Sequence, residues 1–390
     1  MQNILMIAYT TLSTDARVLK EIRACIERNY TVDVMTLREK STPKNNYVKD
    51  FNLIRVAQMQ YKGNSFVIQS LSYLLFFLQL LVLVPYYFFK KKYCVIHVNN
   101  MPNFLVFVTF IPKLFGTKII LDIHDLVSLL FKEKFERLGK SIFLRVLRAE
   151  EKYSMRFADR LITVHELLRD EIAEKYAIDS DRLTVVANFA DEEIFMPISD
   201  FKHGLPLKLV FHGTIANRFG LDDILVALAS LPRAYRRLAL TIIGKGEAEG
   251  KIHRLIKQLQ LGEMVNFINR FIPLYELPRI LREYHLGLVS YKWCEATMTM
   301  LPVKMLELCL MGIPVITIPN KAIRYYFHDT EYFSYDPRKM NTLTKLLIEL
   351  QEKPESILNV RSAILEKGKK LRWGLEKKKY QHLIDSLIRR

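Results

Sequence analysis

The sequence predicts an α/β protein of two domains, each built on a parallel β-sheet. Three observations carry this prediction. At 390 residues the chain is too long for one ordinary hydrophobic core and fits two domains of roughly 150 to 200 residues. Short apolar runs of strand length alternate with stretches of helical period, the pattern of crossover units and parallel pairing. The alternation breaks once, at PISDFKHGLP (197–206), and then restarts. The expected domains are therefore residues 1–197 and 198–372, with 373–390 as a closing helix.

The elements follow in order. ILMIAY (4–9) reads as a buried strand, and Thr14 as the N-cap of a helix with Leu19, Ile22 and Ile26 on one face. TVDVMTL, YCVIHV (93–98), KIILDI (118–123), RLITVH (160–165) and RLTVVAN (182–188) continue the first series of strands. LKLVFHG, LALTIIG, MVNFI, LGLVSY and IPVITI form the second. From about Leu375 a last helix places Tyr380, Leu383, Ile384, Leu387 and Ile388 on one face. Ligands of open parallel sheets sit beyond the carboxyl ends of the strands. Residues just after strands therefore weigh most.

Composition narrows the class. Half the residues are apolar and a quarter charged, which excludes a disordered chain. There is no low-complexity tract or internal repeat. Cys25, Cys94, Cys294 and Cys309 lack metal or redox spacing and suit a reducing cytoplasm. MQNILMIAY has no basic n-region followed by an apolar stretch and a cleavage site, so no signal peptide is expected. The charge of +17 favours an anionic partner. RNA-binding and helix-turn-helix patterns are not apparent, so nucleic acid is not the expected partner. Lys90-Lys91-Lys92 instead follow an uncharged stretch, residues 66–89, which points to an anionic membrane surface. That stretch is about long enough to span a bilayer. A span would put the first strands and the rest of their sheet on opposite sides. A buried core helix and an interfacial helix are the remaining readings, and Tyr86, Tyr87, Phe88 and Phe89 suit the second.

Several residues are placed for chemistry. His124 follows the strand at 118–123, where an imidazole can donate to a sugar hydroxyl or phosphate, although a structural role is open to it. His97 is expected to pack within its strand. In FHGTIANRFG (211–220), amides at Gly213 and Thr214 can hold phosphate and Arg218 can add a charge-assisted bond. Glycine also serves such turns for steric reasons alone. IIGKGEAEG (242–250) lacks dinucleotide spacing and reads as a turn near the site. LPVKMLELCLMGIPVITIP (301–319) is the most informative stretch. Pro302 suits a first helical turn, and Lys304 and Glu307 share one face near its positive end. A helix start with a lysine can hold a diphosphate, and a glutamate one turn on can accept from ribose hydroxyls. The plain alternative is a surface ion pair. Gly312 ends the helix and Pro314 opens the next strand.

Together these stretches resemble the retaining glycosyltransferases of family 4. The marks are STDARVLKE, HVNNMPNFLVF, ILDIHD and RFADRLITVHEL in the first half. FHGTIANRFGLDDIL, FIPLYELP, LPVKMLE, GIPVI and Trp373 follow in the second. The resemblance implies the GT-B fold: two facing Rossmann-like domains with parallel sheets, and a C-terminal helix packing back on the first. It implies that Glu307 binds the nucleotide ribose and that Lys304 and Arg218 neutralise the diphosphate. Gly213, Thr214, Thr299, Leu301 and Pro302 would line the donor. His124 would lie by the transferred sugar, with Asp15 on the acceptor side.

Two departures stand out. The family's second glutamate, eight residues before the ribose glutamate, is Thr299 here, and Glu295 is a candidate replacement. Its usual Arg and Lys after the first strand of the second domain fall at Thr214 and Phe219. The implied reaction needs no metal or other cofactor; the nucleotide sugar is a substrate, and UDP is favoured over GDP. The expected acceptor is a lipid-linked saccharide of bacterial capsule, O-antigen or exopolysaccharide synthesis. The expected place is the cytoplasm, peripheral to the inner face of the plasma membrane. An inactive scaffold and a sugar-nucleotide epimerase of the same fold are the alternatives.

Overall fold

The computed structural model describes residues 2–39, 48–61, 63, 65–129, 141–339 and 341–388. They form two compact units, 1–188 with 376–390 and 189–375. The first holds strands β1 (Asn3–Ala8), β2 (Thr31–Arg38), β3 (Asn52–Met59), β4 (Tyr93–Asn99), β5 (Lys118–Ile123), β6 (Arg160–Thr163) and β7 (Leu183–Val185). They pair in the order β3-β2-β1-β4-β5-β6-β7, every pair parallel. Helices α1 (Ala16–Ile26), α2 (Phe66–Lys91), α3 (Ser141–Phe157) and α4 (Glu166–Tyr176) belong to the same unit. The strand order reverses between β1 and β4, which opens a crevice at their carboxyl ends.

The second unit holds β8 (Leu207–His212), β9 (Leu238–Ile243), β10 (Val265–Ile268), β11 (Leu286–Val289), β12 (Val315–Thr317) and β13 (Phe333–Ser334). Their order is β10-β9-β8-β11-β12-β13, again all parallel. The reversal here lies between β8 and β11. Its longer helices are α5 (Leu221–Ala229), α6 (Glu249–Gln258), α7 (Val303–Met311), α8 (Asn341–Glu352) and α9 (Ser356–Gly368). The last helix, α10 (Trp373–Ile388), contributes Glu376 onward to the first unit. There Tyr380, Leu383, Ile384 and Leu387 are buried. The Gln381 amide donates to the Ala24 carbonyl and the Glu376 carboxylate accepts from the Ala187 N–H at 2.8 Å.

Both sheets are parallel because helices cover their faces, so central strands are apolar at nearly every position. Two strands escaped the sequence reading. β3 is an edge strand whose residues are mostly part-exposed, and β13 has two residues, too few for a pattern. The N-cap of α1 also differs from expectation. Thr14 lies in a 3₁₀ turn, and Asp15 is the cap, its carboxylate accepting from the Val18 N–H at 3.2 Å. Asp15→Ala should cost about 1 kcal/mol, the usual loss for an N-cap. Urea unfolding checks this; an unchanged midpoint would leave Asp15 no part in holding the helix.

Helix α2 corrects the core-helix reading of residues 66–89. A stripe four residues apart, Phe76, Leu80, Val84 and Phe88, is buried in the core cluster with Leu5 and Val98. The opposite face remains exposed although it too is apolar.

Candidate active site

In the second unit β8 ends at His212 and turns at Gly213, whose φ of +109° excludes most side chains. A Cβ at Gly244 would collide with the Gly213 carbonyl oxygen, so the loops after β8 and β9 run in close contact. Backbone bonds fasten them: Gly213 N–H to Ile243 O at 2.9 Å, Ile215 N–H to Lys245 O at 2.9 Å, and Ala248 N–H to Ile215 O at 3.0 Å. Gly244 and Gly246 thus permit close approach of two backbones beside the Gly213 turn.

Helix α7 begins after Pro302, which is its N-cap rather than its first residue, and ends at Gly312 with φ +71°. The surface ion-pair reading of Lys304 and Glu307 does not hold. Lys304 Nζ is buried and has no hydrogen-bond partner among the described residues. It lies 3.8 Å from the centre of the Phe211 ring and 4.4 Å from that of Phe219. Burial pushes its pKa down to about 7; Glu307 resists that fall and the charge of Arg218 adds to it. Glu307 is also buried and bonds to His212 Nε2 at 2.8 Å. Among the described residues no hydrogen bond engages the second Glu307 oxygen, which can accept from another donor.

The remaining candidates surround this pair. Gly213, Thr214 and Arg218 are exposed, and the Arg218 guanidinium sits 5.1 Å over the Phe219 ring. Thr299 follows the short helix Glu295–Met298, and Leu301 lies half-buried before Pro302. The side chain of Glu295 lies outside the described residues. Asn320 pins this segment: its amide donates to the carbonyls of Thr297 at 2.7 Å and Met300 at 2.8 Å. Its Oδ1 accepts from the Ile323 N–H at 2.8 Å. Sequence reasoning missed both Asn320 and His212. Each stands at or just after the end of a strand, the position that the parallel-sheet rule marks as informative.

The first unit carries a buried charge cluster at its own strand ends. Arg17 grips Asp122 with two bonds, Nε to Oδ2 at 2.7 Å and Nη2 to Oδ1 at 2.9 Å, and donates to the Val186 carbonyl at 3.0 Å. His124 Nε2 is 3.0 Å from Asp122 Oδ2, and the His124 backbone N–H donates to Asn100 Oδ1 at 2.9 Å. Its imidazole is thus oriented by a carboxylate that an arginine fixes. His97 is more than packing: Nδ1 meets the Tyr380 hydroxyl at 2.9 Å, and Nε2 lies 3.8 Å from Asp122 and 3.9 Å from Glu21. Burial works to raise the Asp122 pKa, but Arg17 and His124 hold it well below the usual carboxylate range. Burial raises Glu21 well above that range, against the pull of Arg17. Burial also lowers His97. The cluster therefore centres on the Arg17–Asp122 pair, with Glu21 Oε1 3.2 Å from the same Arg17 Nε. Glu21, His97 and Asp122 bring ligand atoms within 4.8 Å of one another. A cation there would compete with Arg17, which already occupies both Asp122 oxygens. Asp15 caps α1 close enough to Arg17 to support its charge.

Two parallel-sheet units, each with polar residues at the carboxyl ends of its strands, match the GT-B architecture. The family profile described as Glycosyltransferase Family 4 matches residues 16–194, and that of glycosyl transferases group 1 matches residues 196–371. Together they span most of the chain, which belongs to this family and is a glycosyltransferase acting on sugar nucleotides. Solved structures agree in fold. Sucrose-phosphate synthase from Thermosynechococcus elongatus superposes with a TM-score of 0.79 at 16% identity, covering 99% of both chains. HepE from Anabaena, in complex with UDP and glucose, gives 0.73 at 13% identity, covering 99% of this chain and 100% of that one. WaaG, a glycosyltransferase involved in lipopolysaccharide biosynthesis, gives 0.71 at 16%, covering 98% and 99%. No curated protein sequence matches this chain.

Proposed function

We propose that the enzyme transfers a hexosyl or N-acetylhexosaminyl group from a UDP-sugar, with retention of configuration, to a lipid-linked saccharide. The setting is assembly of a bacterial capsule, O-antigen or exopolysaccharide at the cytoplasmic face of the plasma membrane. The observation that carries the donor half is the Lys304 ammonium site. Among the described residues it is a buried nitrogen without an acceptor, one turn from a buried glutamate with one oxygen unbonded. A nucleoside diphosphate fits it, supplying phosphate oxygens to Lys304 and Arg218 and ribose hydroxyls to Glu307. UDP is preferred because HepE was solved with UDP and UDP-glucose, and TarM with UDP. The pathway is supported by WaaG and by WaaB, a lipopolysaccharide outer core galactosyltransferase.

The chemistry needs no metal or other cofactor in this reading. The bond from the anomeric carbon to the phosphate oxygen breaks while the acceptor oxygen bonds the same face of that carbon. The acceptor proton passes to the departing phosphate. Lys304, Arg218 and the amides at the start of α7 stabilise the charge that develops on the diphosphate. Thr299 in place of the family's glutamate alters what the donor sugar meets.

Thermal unfolding with UDP, GDP or neither tests the donor site. At about 100 times its dissociation constant, UDP should add roughly 2.7 kcal/mol of stability. No shift with either nucleotide would sink the reading. Affinity should also depend on pH. UDP-glucose gains no proton across the neutral range, so the protein's ionisation is isolated. Binding requires Lys304 protonated, and its pKa in the free protein is about 7. A bound diphosphate raises that pKa. Affinity should thus be full below about pH 7 and fall up to about tenfold per pH unit above it, until the bound-state pKa is passed. Calorimetric titration giving one affinity from about pH 6 to 9 would remove Lys304 from this role.

A further inference from the structure

We infer that α2 is a monotopic membrane anchor, inserting its outer face sideways into the bilayer together with the short helix Phe110–Leu114 and the Phe115 that caps it. This deepens the membrane part of the proposed function and stands apart from nucleotide binding. The sequence left open whether residues 66–89 span a membrane, lie on it or fill a core. The sheet excludes a span: β3, before the helix, pairs with β2, and β4, directly after it, pairs with β1. Both helix ends are thus tied to one sheet, and the stripe from Phe76 to Phe88 is fixed in the core beneath.

The polar side chains Ser72 and Gln79 face the protein beside the apolar inner stripe, and the outward face is apolar. Its Ser72 hydroxyl bonds Tyr9 at 2.6 Å, and Gln79 donates to Gln58 at 3.2 Å, both within the domain. The outer face presents Val67, Leu71, Leu74, Leu78, Val82 and Phe89, from 47% to 70% exposed. Leu114 and Phe115, 70% and 66% exposed, continue the patch, and Phe115 meets the Phe89 ring at 5.6 Å. Such a continuous apolar surface on a soluble unit marks an interaction site. Charge selects the partner. Residues 66–89 carry no ionisable acid or base except two tyrosine hydroxyls near the end and Tyr73, and the stripe runs into Lys90 and Lys92, both exposed. An apolar face rimmed by lysines at headgroup level complements an anionic bilayer, with a depth of about 5–10 Å.

The test is co-sedimentation of the full chain with phosphatidylcholine vesicles containing phosphatidylglycerol. Leu71→Asp/Leu78→Asp/Val82→Asp changes only exposed positions and should lower partitioning by about 100-fold or more. Retained UDP-glucose binding and an unchanged unfolding temperature show that the variant is folded. Most wild-type binding should survive a rise from roughly 0.1 M to 1 M salt, where surface charge is screened within about 3 Å. Leu78→Trp provides a second readout: its fluorescence should shift to the blue and be quenched by lipids brominated in the acyl chain, above the background of Trp293 and Trp373. Equal binding by the triple variant, complete release by salt, or no quenching beyond that background in Leu78→Trp would overturn the inference. So would a dimer that the triple variant splits in the absence of any vesicle binding, since a second copy would then cover the face. Loss of nucleotide binding alone would count against the donor site and leave the anchor standing.

Discussion

Lys304→Met is expected to lower turnover by about 10²-fold or more while making the free protein more stable. The loss follows from removing a positioned charge where negative charge develops on the leaving group. The gain follows from the cost of the native ammonium. Its pKa falls from 10.5 to about 7 because burial between Phe211 and Phe219 penalises the charged form. For a lysine whose folded pKa is depressed, the sign runs against stability at every pH below the unfolded value. The penalty is relieved only as pH rises toward about 10. Near neutrality it is on the order of a few kcal/mol, and methionine, similar in length and without charge, removes it. Calorimetric unfolding beside a turnover assay measures both halves. A variant with turnover within twofold of wild type would exclude Lys304 from the reaction. A variant that loses both activity and stability would make Lys304 a structural residue. Only the crossed result, less active and more stable, identifies a group held at a cost for its ligand.

How much of this site the sequence discloses depends on the distance between partners. Lys304 and Glu307 are legible because both lie on one helical face, three residues apart. Their real neighbours are not, since Glu307 bonds His212 from 95 positions away and Lys304 lies against rings from β8 and the loop after it. Arg17 and Asp122, 105 positions apart, are invisible for the same reason: a buried ion pair leaves no period in the chain. His124 stood out only through its place after a strand, and that place also decides its orientation. The central strands could be read because burial on both faces demands unbroken apolar runs. The edge strand β3, half wet, has no such run. Helix α2 is the opposite case. Its existence was plain from length, but its inner and outer faces were not, because apolar residues occupy both sides and only Ser72 and Gln79 mark the inside.

The second large effect is expected at Arg17. Arg17→Met should destabilise the first unit by about 3–5 kcal/mol, the range for breaking a buried pair by removing one partner. Asp122 would be left ionised in the interior, and burial, which already opposes its charge, would act without the guanidinium that overrides it. Glu21, whose pKa burial raises, is an acid and cannot supply the missing positive charge. His97 and His124 are the remaining groups within 3.8 Å and 3.0 Å of the carboxylate that can supply positive charge. Asp15 adds only further negative charge nearby. In the wild type Arg17 holds the Asp122 pKa well below the usual carboxylate range, so the pair's contribution is present above the unfolded carboxylate value of about 3.9 and is lost as pH falls through the depressed folded pKa. The deficit of the variant relative to wild type should therefore be larger at about pH 7 than at about pH 3. Urea unfolding of both proteins at the two pH values measures it. A deficit of the same size at both would mean that the charge of Asp122 is not what Arg17 stabilises. A deficit below about 1 kcal/mol would mean that the Arg17–Asp122 pair does not hold the strand ends together, and with them the orientation of His124.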